Sequence, residues 1–278
     1  MVFEMARAEY RILKTLKKHV KEIVQRLARA LKPYTPGMES VSPFRFNPLR
    51  RLAGIGRDEH IETILNCFKA AFPMSGPLPA LLAEALELAY EEHPDPDDPP
   101  VMADLYAAAR TVLEGKDYFA DLKSDLSAAL EVRLGTLTRR SIGRIFQCGR
   151  NVPSIDELLT SYSICELDHL PPEIACLTTL FVLTAIPAHV RTTPHSGDRP
   201  QFAIIIEEAH NIVGCNRDAM PSEDNADPKA FANELLCRML AELRAVGVAI
   251  IIIDQLPSAP PSQTHVRRRP PRCGRGPC

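Results

Sequence analysis

Two adjacent glutamates and one glutamine follow uninterrupted apolar runs in the last third of this sequence. Glu207 and Glu208 come directly after the run Phe202–Ile206. Gln255 comes shortly after the run Val248–Ile253. Uninterrupted, β-branched runs are typical of strands buried on both faces of a parallel sheet, where ligands bind at the carboxyl ends. Two carboxylates there could hold Mg²⁺ through water and polarise an attacking water, while the amide contacts a phosphate.

The sequence between the two runs predicts how these side chains could meet. A polar loop follows the first run, and a helix is predicted from about Pro228 to Val246, where Gly247 ends it. Strand, helix, strand is the pattern of a βαβ unit with parallel strands. If the two strands are neighbours, Gln255 lies beside both glutamates. If they are not, the glutamates merely begin a solvated loop.

The rest of the chain is predicted to be largely helical. Apolar residues at three- and four-residue steps predict one helix over residues 3–32. Its basic side chains indicate either a solvated face or a contact with DNA phosphates. Further elements are predicted as helices at about 58–72, 77–92, 101–116, 118–140 and 172–188, a short strand at 163–167, and a capping box at Ser154 and Glu157.

Composition places the chain among ordinary globular proteins. Of its 278 residues, 45% are apolar and 24% are charged, and the net charge of −2 gives no overall attraction to nucleic acid or anionic membranes. The eight cysteines form no CxxC pair and no zinc-finger spacing, so we interpret them as reduced thiols. No signal peptide is predicted, and the apolar runs are too short or broken to span a bilayer. A cytoplasmic protein without a membrane partner is therefore expected.

Five segments in colinear order resemble the bacterial ATP-binding proteins of the HerA-like group, within the FtsK–HerA superfamily of P-loop ATPases. They are FEMARAEYRIL, YTPGMESVSPFRFNPL, HIETILNCFKAAFPMSGPLPALLAEALELAYEE, IIIEEAHN and LRAVGVAIIIIDQLPS, and they extend over residues 3–258. The resemblance implies an additional-strand, RecA-like α/β fold with ATP and Mg²⁺ as cofactors. It also implies a helicase or DNA translocase that works as a homo-oligomeric ring on DNA, with a nuclease as a candidate partner.

The same resemblance implies roles for individual residues. Glu207 matches the Walker B acid, which holds Mg²⁺ through water, and Glu208 matches the catalytic glutamate. Gln255 matches the sensor at the end of the neighbouring strand. Arg244 matches an arginine that precedes the sensor strand. For Arg244, a phosphate contact across a subunit boundary and a packing or salt-bridge role both stay open.

The sequence departs from the family pattern in one essential part. It contains no GxxxxGK[ST], and Gly115-Lys116 is followed by Asp117 in a predicted helical region. The nest of backbone N–H groups and the lysine that hold the phosphates are then missing. Weak or absent ATP binding is therefore expected for this chain alone.

We therefore predict an α/β fold, a partial P-loop ATPase sheet with a large helical insertion. Its parts are a helix and loop of the ATPase core at 1–50, the helical insertion at 51–195, the Walker B and sensor strands at 196–258, and a disordered Pro/Arg-rich tail at 259–278. The expected function is that of a truncated HerA-like ATPase. The alternatives are a non-catalytic interaction module and a pseudogene product. Without the strand that precedes the phosphate loop, residues 248–254 would form an exposed apolar edge.

Overall fold

The computed structural model describes residues 2–4, 30–52, 54–192, 202–209 and 228–253. Its strands are β1 (Val2–Glu4), β2 (Leu31–Tyr34), β3 (Tyr162–Glu166), β4 (Phe202–Glu207) and β5 (Val248–Ile253). Its α-helices are α1 (Arg57–Ala71), α2 (Leu78–Glu92), α3 (Met102–Gly115), α4 (Ala120–Arg133), α5 (Arg140–Phe146), α6 (Ile155–Thr160), α7 (Pro172–Thr192) and α8 (Pro228–Ala245). A short 3₁₀-helix at Gly135–Thr138 separates α4 from α5.

The strands form a parallel sheet in the order β2–β3–β1–β4–β5. β4 and β5 pair along their whole length, with Phe202 aligned on Val248 and Glu207 on Ile253. The helix α8 connects them and packs against β5, so the predicted βαβ unit is confirmed. Because every pairing is parallel, the carboxyl ends of these strands meet at one edge of the sheet.

The amino-terminal region differs from its prediction. The prediction of one helix over residues 3–32 is wrong at both ends, because Val2–Glu4 and Leu31–Tyr34 are strands of the sheet. Residues 5–29 lie outside the described residues. Strands of three and four residues are too short to show a clear two-residue alternation, and pairing with neighbouring strands overrides the local pattern.

The region predicted as a helical insertion also contributes to the sheet. The short strand predicted at 163–167 is present as β3, which pairs with β2 on one side and β1 on the other. The segment 51–195 is therefore helical except for one strand that lies inside the sheet. The division of the chain into four domains stays a prediction.

One hydrophobic core joins the helical region to the sheet. Phe181 on α7 packs edge-to-face against Phe68 on α1 and Phe146 on α5, with ring centroids 5.7 and 6.1 Å apart. All three rings are almost completely buried, and such aromatic pairs add stability beyond the area they bury. The same core includes Ile204 and Ile206 of the strand that ends at Glu207.

The helix α7 is long and apolar enough to cross a membrane by length and composition alone. However, 78% of its most apolar window is buried inside the protein, against α1 and α8 among others. This burial is typical of a helix in the core of a protein. A cytoplasmic location stays a prediction.

The described cysteines behave as small apolar side chains. All five are free thiols, of which three are buried. Burial raises the pKa of Cys67 and of Cys165 to about 12, so these thiols stay protonated and unreactive. Free thiols fit the predicted reduced state, and the other three cysteines lie outside the described residues.

The two faces of the sheet are covered unequally at β4 and β5. On one face, Ile204, Ile206 and Val248 are buried in the core that includes the apolar side of α8. On the opposite face, Ile251 and Ile253 are 48% and 44% exposed. Strands of a parallel sheet are usually covered on both faces. We call the uncovered surface the open face, which comprises Ala203, Ile205, Ala249, Ile251 and Ile253.

His60, on the first turns of α1, makes stability dependent on pH. Burial lowers its pKa to about 4, because a buried imidazole resists taking up a charge. Between the ordinary value of 6.5 and the folded value of about 4, the unfolded state binds more protons. The free energy of unfolding is therefore expected to fall as the pH drops through this window, by up to roughly 3 kcal/mol.

Urea unfolding at several pH values between 6.5 and 4 measures this loss. Carboxylates also titrate in that range, so a His60→Gln variant serves as the comparison. Its free energy of unfolding should fall less steeply with acidification than that of the natural sequence. Parallel curves for the two proteins would contradict the assignment to His60.

Candidate functional site

The tips of β4 and β5 lie side by side at the carboxyl edge of the sheet. Glu207 ends β4 and is aligned with Ile253, which ends β5. The backbone N–H of Glu208 donates to the carbonyl of Ile253 at 2.9 Å, which extends the ladder one residue beyond Glu207. The neighbouring strands that the sequence interpretation requires are therefore present.

Glu208 has a left-handed backbone conformation, with a φ of 53°. This region is unfavourable for residues with a side chain and costs about 1–2 kcal/mol. The chain therefore turns sharply after β4, and the alternation of side chains between the two faces ends there. Glu207 still belongs to the alternation of Ala203 and Ile205 on the open face. Two consecutive carboxylates, each half-buried, can thus point to different groups.

Gln255, the predicted sensor, lies outside the described residues. Ile253 is the last described residue of β5, and it is already aligned with Glu207. Gln255 follows it by two residues in the sequence. Its contact with the two glutamates stays a prediction.

Arg244 is not brought together with the glutamates of its own chain. It lies exposed in the last turn of α8, where the N–H of Gly247 donates to its carbonyl at 3.1 Å. This turn leads into the amino end of β5, whereas Glu207 and Glu208 lie at the carboxyl end. A strand of six residues separates the two edges by about 17–20 Å. Arg244 therefore lies far from the two glutamates of its own chain, while a contact across a subunit boundary and a packing or salt-bridge role both stay predictions.

A further carboxylate at this edge was not identified from the sequence. Glu166 ends β3, is aligned with Glu4 of β1, and is 1% exposed. The hydroxyl of Thr35, which follows β2, donates to its Oε2 at 3.0 Å. The apolar run that ends in Glu166 was the available signal, but it is shorter than the runs before Glu207 and Gln255. Three adjacent strands thus end in a glutamate at the same level of the sheet.

Gly115-Lys116 is not a phosphate-binding loop in the structure either. Gly115 ends α3, and the ammonium of Lys116 forms a salt bridge with Glu84 on α2, with Nζ–Oε2 at 2.6 Å. A phosphate-binding loop instead precedes a helix, whose amino-terminal N–H groups contact the phosphates. Lys116 therefore serves the packing of α2 against α3.

No family model matches this sequence, and no curated protein matches it. Among solved structures, the chain is similar to the structure of VirB4 of Thermoanaerobacter pseudethanolicus, with a TM-score of 0.56. The sequences are 15% identical, and the match covers 91% of this chain and 61% of that chain. The likeness shows a shared α/β fold, and this chain spans about three-fifths of the length of that protein.

Proposed function

We propose that this chain carries the acidic half of the ATP site of a P-loop ATPase. The observation that supports the proposal is the pair Glu207 and Glu208 at the tip of β4, hydrogen-bonded to the tip of the parallel strand β5. ATP hydrolysis in such enzymes needs an acid that positions Mg²⁺ and a second group that orients the attacking water. The likeness in fold to VirB4 and the resemblance to HerA-like ATPases are consistent with this chemistry.

The donor set at β4 fits Mg²⁺. Among the described residues, no three His, Cys, Asp or Glu side chains converge into a metal cage. Mg²⁺ does not require one, because it keeps several waters and binds through one or two carboxylates together with substrate phosphates. In the proposal, Glu207 holds the hydrated ion, Glu208 accepts a proton from or orients the attacking water, and Gln255 contacts the γ-phosphate.

The other half of the site would be supplied by a strand, a phosphate-binding loop and a helix that cover the open parts of the sheet. β5 is the outer strand of the described sheet, and its last three residues are 39–48% exposed. A further strand can pair with this edge. The helix α8 connects β4 to β5, toward the edge of the sheet. A helix that connects the further strand to β1 would cross the sheet in the opposite direction, away from that edge. Since both crossovers are right-handed, this helix would cover the face opposite to α8, which is the open face.

The finer family role is part of the proposal. We propose that the complete ATPase moves or unwinds DNA as a homo-oligomeric ring in the cytoplasm. In such a ring, Arg244 is free to contact the nucleotide of a neighbouring subunit, because it is exposed and far from its own glutamates. A non-catalytic role as an interaction module is the alternative. Binding of another protein to the open face, with no ATP hydrolysis by the resulting complex, would favour this alternative.

The isolated chain is expected to bind ATP only weakly. The glutamates at the sheet edge carry negative charge, and the sequence contains no GxxxxGK[ST] to oppose the charge of a triphosphate. Isothermal titration with Mg·ATP should give no affinity in the sub-millimolar range. A Glu207→Gln variant lacks the proposed Mg²⁺ ligand, so any residual binding of Mg·ATP should be weaker still in it. Sub-millimolar affinity of the natural chain would contradict the expectation.

The DNA upstream of the Met1 codon offers the most direct test of the proposal. A strand, loop and crossover helix occupy roughly 30 residues. A GxxxxGK[ST] encoded about that far upstream, in this or a shifted reading frame, would support a P-loop ATPase. Upstream DNA without such a codon run in any frame would favour the interaction module or a pseudogene product.

A further inference from the structure

A pocket of about 360 Å³ lies in the helical region, away from the tips of β4 and β5. It is bounded by the loop before α1, the first turn of α1, the last turn of α2 and the proline-rich segment 94–100. Its volume lies within the range of small-molecule sites in proteins. The proposed ATP site does not use any of the described residues that line this pocket.

Two arginines on one side of the pocket have unused hydrogen-bonding capacity. The Nη2 of Arg57 contacts Oε1 of Glu91 at 3.2 Å, but its Nε is buried without a hydrogen-bond partner. Nε2 of His60, one turn further along α1, is the only other buried side-chain nitrogen or oxygen without a hydrogen-bond partner in the part of the chain that the structure describes. A buried donor without a partner is costly, so it indicates a missing ligand or water. Arg51 also lines the pocket.

The acidic side chains of the pocket are already engaged. Glu91 pairs with Arg57, and the carboxylate of Asp95 accepts a hydrogen bond from the N–H of Asp97 at 2.9 Å. His93 lies 3.5 Å from Asp104, measured from Nε2 to Oδ2. Arg51, by contrast, has no ion pair with any described residue. Among the described residues, the pocket therefore holds one arginine without an ion pair and one donor without an acceptor, and both favour an anionic group at the arginines even though Asp95 keeps its own charge.

The remaining wall is apolar and fixed in position. The hydroxyl of Tyr90 donates to the carbonyl of Leu49 at 2.7 Å, which holds its ring at the pocket. Leu49 itself is completely buried. The rest of this wall consists of Pro94, Pro96, Pro99 and Pro100. The tyrosine and proline rings offer flat apolar surfaces to the organic part of a ligand, and the prolines lose no side-chain conformational freedom when the ligand binds.

We infer that this pocket binds a small organic phosphate, with Arg51 and Arg57 on the phosphate and Tyr90 with the prolines against the organic group. Guanidinium groups bind phosphate oxygens through paired N–H donors. The donors of Arg51 and the unpartnered Nε of Arg57 suit the several oxygens of a phosphate, whereas a single arginine already satisfies the two oxygens of a carboxylate. The inference does not depend on the proposed ATPase, since no residue is shared between the two sites.

Titration of the full chain with phenyl phosphate, inorganic phosphate and benzoate tests the inference. Isothermal calorimetry at neutral pH should give the tightest binding for phenyl phosphate. Inorganic phosphate lacks the contact with the apolar wall, and benzoate has fewer oxygens to accept hydrogen bonds from the two arginines, so both should bind more weakly. Arg51→Ala should weaken phenyl phosphate binding about tenfold, as expected for the loss of one charge-assisted hydrogen bond.

The matched control is Arg110→Ala on α3, an exposed arginine that faces Glu114 at 3.9 Å outside the pocket. It should leave phenyl phosphate affinity unchanged. Arg57→Ala should weaken binding as well, and its melting curve shows whether the loss of the pair with Glu91 disturbs the fold. Arg51→Ala needs no such check for an ion pair, because Arg51 has none among the described residues. The inference is overturned if phenyl phosphate fails to bind, if benzoate binds as tightly, or if Arg51→Ala and Arg110→Ala behave alike.

Discussion

Replacing Glu208 by glutamine in a completed enzyme is expected to reduce kcat for ATP hydrolysis by about 10²- to 10⁴-fold, the usual contribution of a positioned general base. The completed enzyme is a polypeptide in which a strand, a GxxxxGK[ST] loop and a helix precede Met1. Glutamine keeps the size of the side chain but cannot take a proton from water. Affinity for Mg·ATP should be retained, because Glu207 and the loop are unchanged. Steady-state hydrolysis and nucleotide titration measure the two effects separately.

The control for this experiment is Glu234→Gln, which removes an exposed carboxylate from α8. This variant should hydrolyse ATP at the rate of the unaltered polypeptide. Full activity in the Glu208→Gln enzyme would contradict the catalytic role of Glu208. An equal loss in both variants would indicate a general effect of charge rather than a role at the tip of β4.

The isolated natural chain is expected to self-associate, and an Ile251→Lys substitution is expected to shift it toward the monomer. Ile251 lies in the middle of the open face on the outer strand, and it is 48% exposed. An uncharged, apolar outer strand offers free backbone groups to any other chain, and a lysine is a common means of preventing such pairing. Because the side chain is already half-exposed, the free energy of unfolding should change by no more than about 0.5 kcal/mol. Sizing chromatography with light scattering measures the mass.

Val132→Lys provides the matched control. Val132 is an apolar residue with 67% exposure on α4, a helix outside the sheet. The same charge placed there should leave the association state unchanged. A monomeric natural chain with cooperative melting would show that the open face does not drive association. Equal gains in solubility from both lysines would assign the effect to net charge.

The pairing of β4 with β5 could be predicted because three signals agreed. Both strands are uninterrupted apolar runs, the intervening residues have helical periodicity, and Gly247 marks the end of the helix with a φ of 81°. A connection through a helix usually joins neighbouring parallel strands. The positions of Glu207 and Glu208 followed from the end of the first run. The left-handed backbone at Glu208 could not be predicted, since glutamate has no preference for it.

The strands β1 and β2 were missed because their structure depends on distant partners. Val2–Glu4 is paired with β3 and β4, both remote in sequence, and nothing within three residues encodes such a contact. The buried hydrogen bond between Thr35 and Glu166 was missed for the same reason. The pocket at Arg51 and Arg57 arises where four separate segments meet, so no local pattern predicts it.

The position of β1 has a consequence for the order in which the protein folds. β1 precedes both of its partners in the chain, since Val2 is aligned with Ile164 of β3 on one side and with Ile205 of β4 on the other. The helices α2 and α3 are consecutive in the chain and pack against each other, so their contacts can form while synthesis continues. The sheet must instead wait for β3 and β4 to emerge, and contacts so remote in sequence form slowly. The amino-terminal strand therefore has a long interval on the nascent chain during which chaperones could bind it.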